Sequence, residues 1–152
     1  MPGNDSGIEL QRLLIAGQCL VSCLARLLGR PGIHAQHILS PTVHDILAEM
    51  DFCGVERALV WHIAQFDASP QAGNILLAQA IQDYPRLVGG WAILPNQAHE
   101  FPPFEDFLGA MRQAGVVALR AFPNDHHFLL NEVAMGSWLA PMVAHRVPLF
   151  LN

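Results

Sequence analysis

Four sets of side chains in this sequence could do chemistry: an imidazole ending an apolar run (His62), a guanidinium inside another (Arg120), a histidine pair (His126-His127) and the thiols Cys19 and Cys23. His62 sits near the end of Ala58–Ile63, where an imidazole can serve as a base, contact a substrate, or simply bond a loop carbonyl. Arg120 lies within Val116–Phe122, so its charge must reach water or a partner. A substrate carboxylate is one such partner, and Asp125 or Asp67 is the other. His126 and His127 adjoin a strand end, but neighbouring side chains point apart and no carboxylate spacing completes a metal set, so solvated loop residues are the simpler reading. Cys19 and Cys23 can share a helix face, yet no second Cys/His pair at zinc spacing accompanies them, and they read as buried thiols. Trp61 and Trp91 could line a pocket, with core packing the plainer role. His34, His37, His44, His99 and His145 read as loop or helix-surface residues. No glycine-rich phosphate loop is present, and Ser22, Ser40, Ser69 and Ser137 are not set in a nucleophile elbow.

The elements that must hold these groups follow a rhythm. Apolar runs at Ala58–Ile63, Leu87–Leu94, Val116–Phe122 and Val147–Leu151 recur about every thirty residues, each after a helix-like stretch, as in βα units on a parallel sheet. Gly54 and Gly115 punctuate two of the entries, matching the left-handed residue past a helix end. Ser40-Pro41 is expected to open a helix with the inner stripe Val43, Ile46, Leu47 and Met50. Ala64–Gly73 reads as a loop, Asn74 as the cap of a helix reaching Tyr84, and Ser137 as the cap of the last helix. Phe104, Phe107, Leu108 and Met111 recur with the 3.6-residue period of a helix. Ile8–Leu28 is apolar nearly all round, which implies a helix hidden by neighbours, and Ile33–Leu39 reads as a loop. The division expected is an atypical tail and apolar helix over 1–32, then a partial (β/α) unit over 33–152.

Composition narrows the classes. The 152 residues are 52% apolar and only 14% charged, where about a quarter is usual, so association through exposed apolar surface is expected. The net charge of −5 and the absence of any Arg-rich run argue against nucleic acid as a partner. Three cysteines without framework spacing favour a reducing, cytoplasmic setting. Leu13–Ala25 has the length of a signal peptide and is too short to span a bilayer, but Asp5 and Glu9 before it and Arg26 and Arg30 after it reverse the charge order of an export signal. No membrane partner is expected.

Val147–Leu151 is as apolar as a central parallel strand, which favours part of a larger barrel over a small finished sheet. From Ile38 to Asn152 the sequence resembles the amidohydrolase-related (amidohydrolase 2) family of metal-dependent hydrolases and decarboxylases. The resemblance is carried by four ordered blocks: Ile46-Leu47-Ala48-Glu49-Met50-Asp51 with Cys53 to Val60, Leu77 to Pro95, Ala114 to Pro123, and Trp138 to Leu151. It implies a TIM-like barrel whose strands two to five are these runs. It also implies a divalent metal such as zinc, held by a His-x-His pair after strand one and a histidine after strand five. No His-x-His pair precedes the first run, His34-Ala35-Gln36-His37 has the wrong spacing, and Asn152 stands where the strand-five histidine is expected. No metal ligand carries over to this chain.

The expectation is therefore an α/β chain forming part of a TIM-like barrel, with His62, Arg120 and Asn152 facing a pocket for a small carboxylated or carbonyl substrate. By this reading it is a fragment or divergent member of the hydrolase family and inactive on its own. The rival is a non-catalytic α/β interaction module.

Overall fold

The computed structural model describes residues 13–15 and 42–151. Helix α1, Val43–Cys53, begins at a capping box: the Thr42 hydroxyl accepts from Asp45 N–H, and the Asp45 carboxylate accepts from Thr42 N–H at 2.8 Å. Ser40 and Pro41, expected to open this helix, lie outside the described residues. Gly54 ends it at φ 67°, a left-handed conformation that costs a glycine nothing. The Arg86 guanidinium then pairs with Asp51 and donates to the Val55 and Glu56 carbonyls, tying the turn after α1 to the start of a later strand.

Strand β2, Ala58–His62, leads into one helical turn, α2, Ala64–Asp67, and then helix α3, Pro70–Ile81. Here two expectations are corrected. Ala64–Gly73 is mostly helical, not loop. Helix α3 starts before Asn74, capped by the Ser69 hydroxyl with Pro70 in its first turn, because that pair supplies both a side-chain acceptor and a preset φ. Strand β3, Leu87–Ala92, helix α4, Phe104–Gln113, and strand β4, Val116–Ala121, follow. Asn131 caps the turn α5, Glu132–Met135. A 3-10 turn at Gly136–Trp138 runs directly into helix α6, Leu139–Ala144, so Ser137 lies inside that turn and does not cap the last helix. Strand β5, Leu149–Leu151, is the last element described.

The five-stranded sheet is ordered β1-β2-β3-β4-β5, where β1 is Leu13–Ile15. Strands β2 to β5 are parallel in sequential order, and β1 pairs antiparallel with β2. Leu13–Ile15 falls within the segment expected to be helical, and those three residues are strand: they pair with His62, Trp61 and Val60 along the edge of β2. The rest of Ile8–Leu28, the loop Ile33–Leu39 and Asn152 lie outside the described residues. Helices α1, α3 and α4 contribute to one buried cluster against the sheet. Ile46 and Met50 of α1, Leu77 and Ile81 of α3, and Phe104, Phe107, Leu108 and Met111 of α4 pack there against Val60, Trp91, Leu119 and Ala121. The expected stripes of α1 and α4 face this core. Gly89 sits under α3, where a Cβ would come within 2.7 Å of Val116 and 3.1 Å of Ile81.

The opposite face carries a small cluster of Trp61, Ala92 and Phe122. The register of β3 against β4 shifts between Gly89 and Gly90: Gly89 pairs with Val116 but Gly90 with Ala118, so Val117 is an extra, exposed residue. Among the described residues, no helix is long and apolar enough to cross a membrane.

Candidate functional site

In parallel sheets, ligands bind outside the carboxyl ends of the strands. At that end, on the face turned away from α1, α3 and α4, the structure gathers side chains from two strands and the segments that follow them. The Arg120 guanidinium carbon of β4 stands 4.4 Å from the centroid of the Trp61 ring of β2 and 5.8 Å from that of Phe122. Between them β3 presents only Gly90 and Ala92, small enough for two large side chains to meet over it. Phe66 of α2 packs against Phe122 at 5.3 Å, and so does His126 from the loop after β4. His126 Nε2 donates to the Phe66 carbonyl at 3.0 Å, which joins the two strand-end segments.

Arg120 is half-buried, and the loss of water around its guanidinium lowers its pKa from the ordinary arginine value. The charge lies beside aromatic faces, where the ring quadrupole attracts it. A planar cation in this position, with aromatic walls, is chemically suited to a carboxylate, since guanidinium donors match the two oxygens of that group.

His62 is 1% exposed. Strand alternation sends its side chain to the opposite face from Trp61, so His62 and Arg120 do not share a wall. Its Nδ1 accepts from the Ala64 N–H at 3.1 Å, so that lone pair is engaged by the turn that follows β2. His127 is exposed in a left-handed conformation at φ 54°. Trp91 lies in the helical core against Phe107, whereas Trp61 forms the floor under Arg120.

The residues that build this corner from behind are Gln65 and Asn74. Gly89 and Ile93 donate their N–H groups toward β4, so the alternate residues Gly90 and Ala92 turn theirs toward β2. The paired register of β2 with β3 ends at Val60 and Gly89. Beyond that point side chains take the place of a strand. Gln65 Nε2 donates to the Gly90 carbonyl at 2.9 Å, while Asn74 accepts from Ala92 N–H at 2.8 Å and donates to Ala92 C=O at 2.9 Å. Gln65 Nε2 also donates to Asn74 Oδ1 at 2.7 Å, and Gln65 Oε1 accepts from His62 N–H at 3.2 Å. Both residues are buried, and both amides are committed to bonds. Gly73 makes the arrangement possible, because a Cβ there would lie 2.4 Å from the Gln65 backbone nitrogen. The sequence signal for this pair is a single polar residue inside an apolar helical turn.

The divalent centre implied by the family resemblance does not fit the described residues, among which no three His, Cys, Asp or Glu side chains are grouped to hold a metal ion. A groove of about 540 Å³ opens elsewhere, between the loop after β3 and the α5 turn, with His99, Phe101, Pro103, Val133, Met135 and Trp138 along it. Comparison of the chain with protein-family models, with curated proteins and with solved structures gives no match.

Proposed function

We propose that this chain is part of an amidohydrolase-type (β/α) barrel, cytoplasmic and divergent in its metal site, in which Arg120 holds the carboxylate of a small-molecule substrate. The observation that carries this is the placement of the Arg120 guanidinium over Trp61 at the carboxyl ends of parallel strands, on the face that a closed barrel turns inward. The sequential parallel order of β2 to β5 supports the same reading, since a singly wound parallel sheet is what a barrel is made of, and the antiparallel β1 is a departure from that pattern. Hydrolysis or decarboxylation would need a completed site, and the chain's own contribution is to bind and orient the anion. The test uses benzoate and its neutral counterpart benzamide, added to the purified chain and followed by Trp61 fluorescence and NMR. Benzoate should perturb Trp61 and Arg120, benzamide should not, and Arg120→Gln should abolish the response. Equal responses to both compounds, or a response surviving Arg120→Gln, would overturn the assignment.

A second reading, a non-catalytic interaction module, takes the edge of β5 as a surface that a partner covers. This strand has a neighbour only in β4 among the described residues, and its Phe150 and Leu151 are 44% and 57% exposed. Size-exclusion chromatography with light scattering separates the two: a monodisperse monomer supports a self-contained module, and large oligomers support a barrel portion with unpartnered apolar surface.

A further inference from the structure

We infer that Gln65, backed by Asn74, is the positioning residue of the Arg120 site: its one amide fixes both the strand end that carries Trp61 and the helical turn that carries Phe66. Gln65 Oε1 accepts from the N–H of the Trp61–His62 peptide, so the amide sets the height of the indole that floors the guanidinium. Its Nε2 is anchored on Gly90 of β3 and on Asn74 of α3, both parts of the rigid sheet and helix layer. Its own backbone belongs to α2, where the next residue, Phe66, packs on Phe122 and receives the His126 hydrogen bond. Every wall described around Arg120 is thus within two steps of this amide. A glutamine is required because the site needs one acceptor for His62 N–H and donors for the Gly90 and Asn74 oxygens. No apolar side chain or carboxylate of that length supplies both.

The inference rests on the reading of Arg120 as the cation that holds the ligand, but its test needs no ligand, so the two can fail separately. Side-chain protons of an arginine stacked on an indole face are shifted upfield by the ring current, and Arg120→Gln identifies the Arg120 signals in NMR spectra of the full chain. Gln65→Glu is the informative variant. A protonated glutamic acid keeps the acceptor and one of the two donor hydrogens that the amide uses, whereas the carboxylate offers only acceptors to the Gly90 and Asn74 oxygens. In Gln65→Glu the Arg120 upfield shift should therefore be retained in part at acidic pH and lost as the pH rises, while the unsubstituted chain keeps it throughout. Gln65→Met, of similar length with neither group, should lose the shift at every pH at which it is folded. Leu77→Val, a core truncation of α3, should lower the melting temperature and leave the shift intact. The proposal is overturned if Gln65→Glu or Gln65→Met, when folded, retains the Arg120 shift across the pH range. It is equally overturned if Leu77→Val abolishes the shift along with the others.

Discussion

Arg120 and Trp61 meet across an intervening strand, the guanidinium carbon 4.4 Å from the indole centroid, with only the small side of β3 between them. Contacts of this kind stabilise by about 0.5–2 kcal/mol according to how much water is excluded. A double-mutant cycle of Arg120→Gln and Trp61→Leu, measured by denaturant unfolding, should return a coupling energy of about 1 kcal/mol. Additive single effects would show that the stacking contributes nothing to stability.

Asn74 leaves three backbone or side-chain partners behind when it is removed: Ala92 N–H, Ala92 C=O and the Gln65 amide. Orphaned buried polar groups cost about 1–3 kcal/mol each. Asn74→Ala should therefore destabilise the fold by roughly 3 kcal/mol or more, well beyond an ordinary surface substitution. Chemical denaturation reads this directly. A loss below about 1 kcal/mol would mean that water or a rearranged Gln65 replaces the lost bonds.

Gly73 and Gly109 both lie in helices and should respond in opposite directions to alanine. A Cβ at Gly73 collides with the Gln65 backbone, whereas one at Gly109 meets nothing within 4 Å. Gly109→Ala should raise stability by about 0.5–1 kcal/mol through helix propensity. Gly73→Ala should lower it by about 1–3 kcal/mol, because backbone must move to admit the methyl group. Thermal melts of the two variants, side by side, decide the matter.

Asp45 receives hydrogen bonds from the Thr42 side chain and backbone, and these hold its carboxyl below the usual aspartate value. A carboxyl whose folded pKa is depressed contributes stability above its unfolded pKa, and that contribution disappears as the pH falls through the folded pKa. Asp45→Asn should therefore flatten the acid limb of the stability profile below the aspartate range and leave the neutral-to-alkaline slope unchanged. Thr42→Ala should cost about 0.5–2 kcal/mol at neutral pH through loss of the cap. An acid limb identical to that of the unsubstituted chain would rule out the Asp45 contribution.

The sheet was legible because its cause is local. Apolar runs separated by helical stripes, with Gly54 and Gly115 at the joints, report the βα alternation without reference to any distant residue. The boundary at Ser69-Pro70 was equally available, since it repeats the Ser-Pro pattern of residues 40–41. At Asn74 a polar residue before an apolar run has the same appearance whether it caps a helix or braces a strand. What could not be read is the work done across the chain. Gln65 and Gly90 are 25 residues apart, and their bond exists because β2 stops pairing with β3 at Val60. No periodicity reports where a strand parts from its neighbour. Arg120 is conspicuous as a charge in an apolar run, but its companion, Trp61, follows from the small residues of a third strand.

The extra residue at Val117 has a further effect on the fate of the charge. Val116 packs toward the helices, and an uninterrupted strand would send Ala118 and Arg120 the same way. The one-residue slip reverses that parity, delivering the guanidinium to the side from which a solute can arrive. Insertion or deletion of a single codon there would exchange an accessible cation for one driven into hydrocarbon.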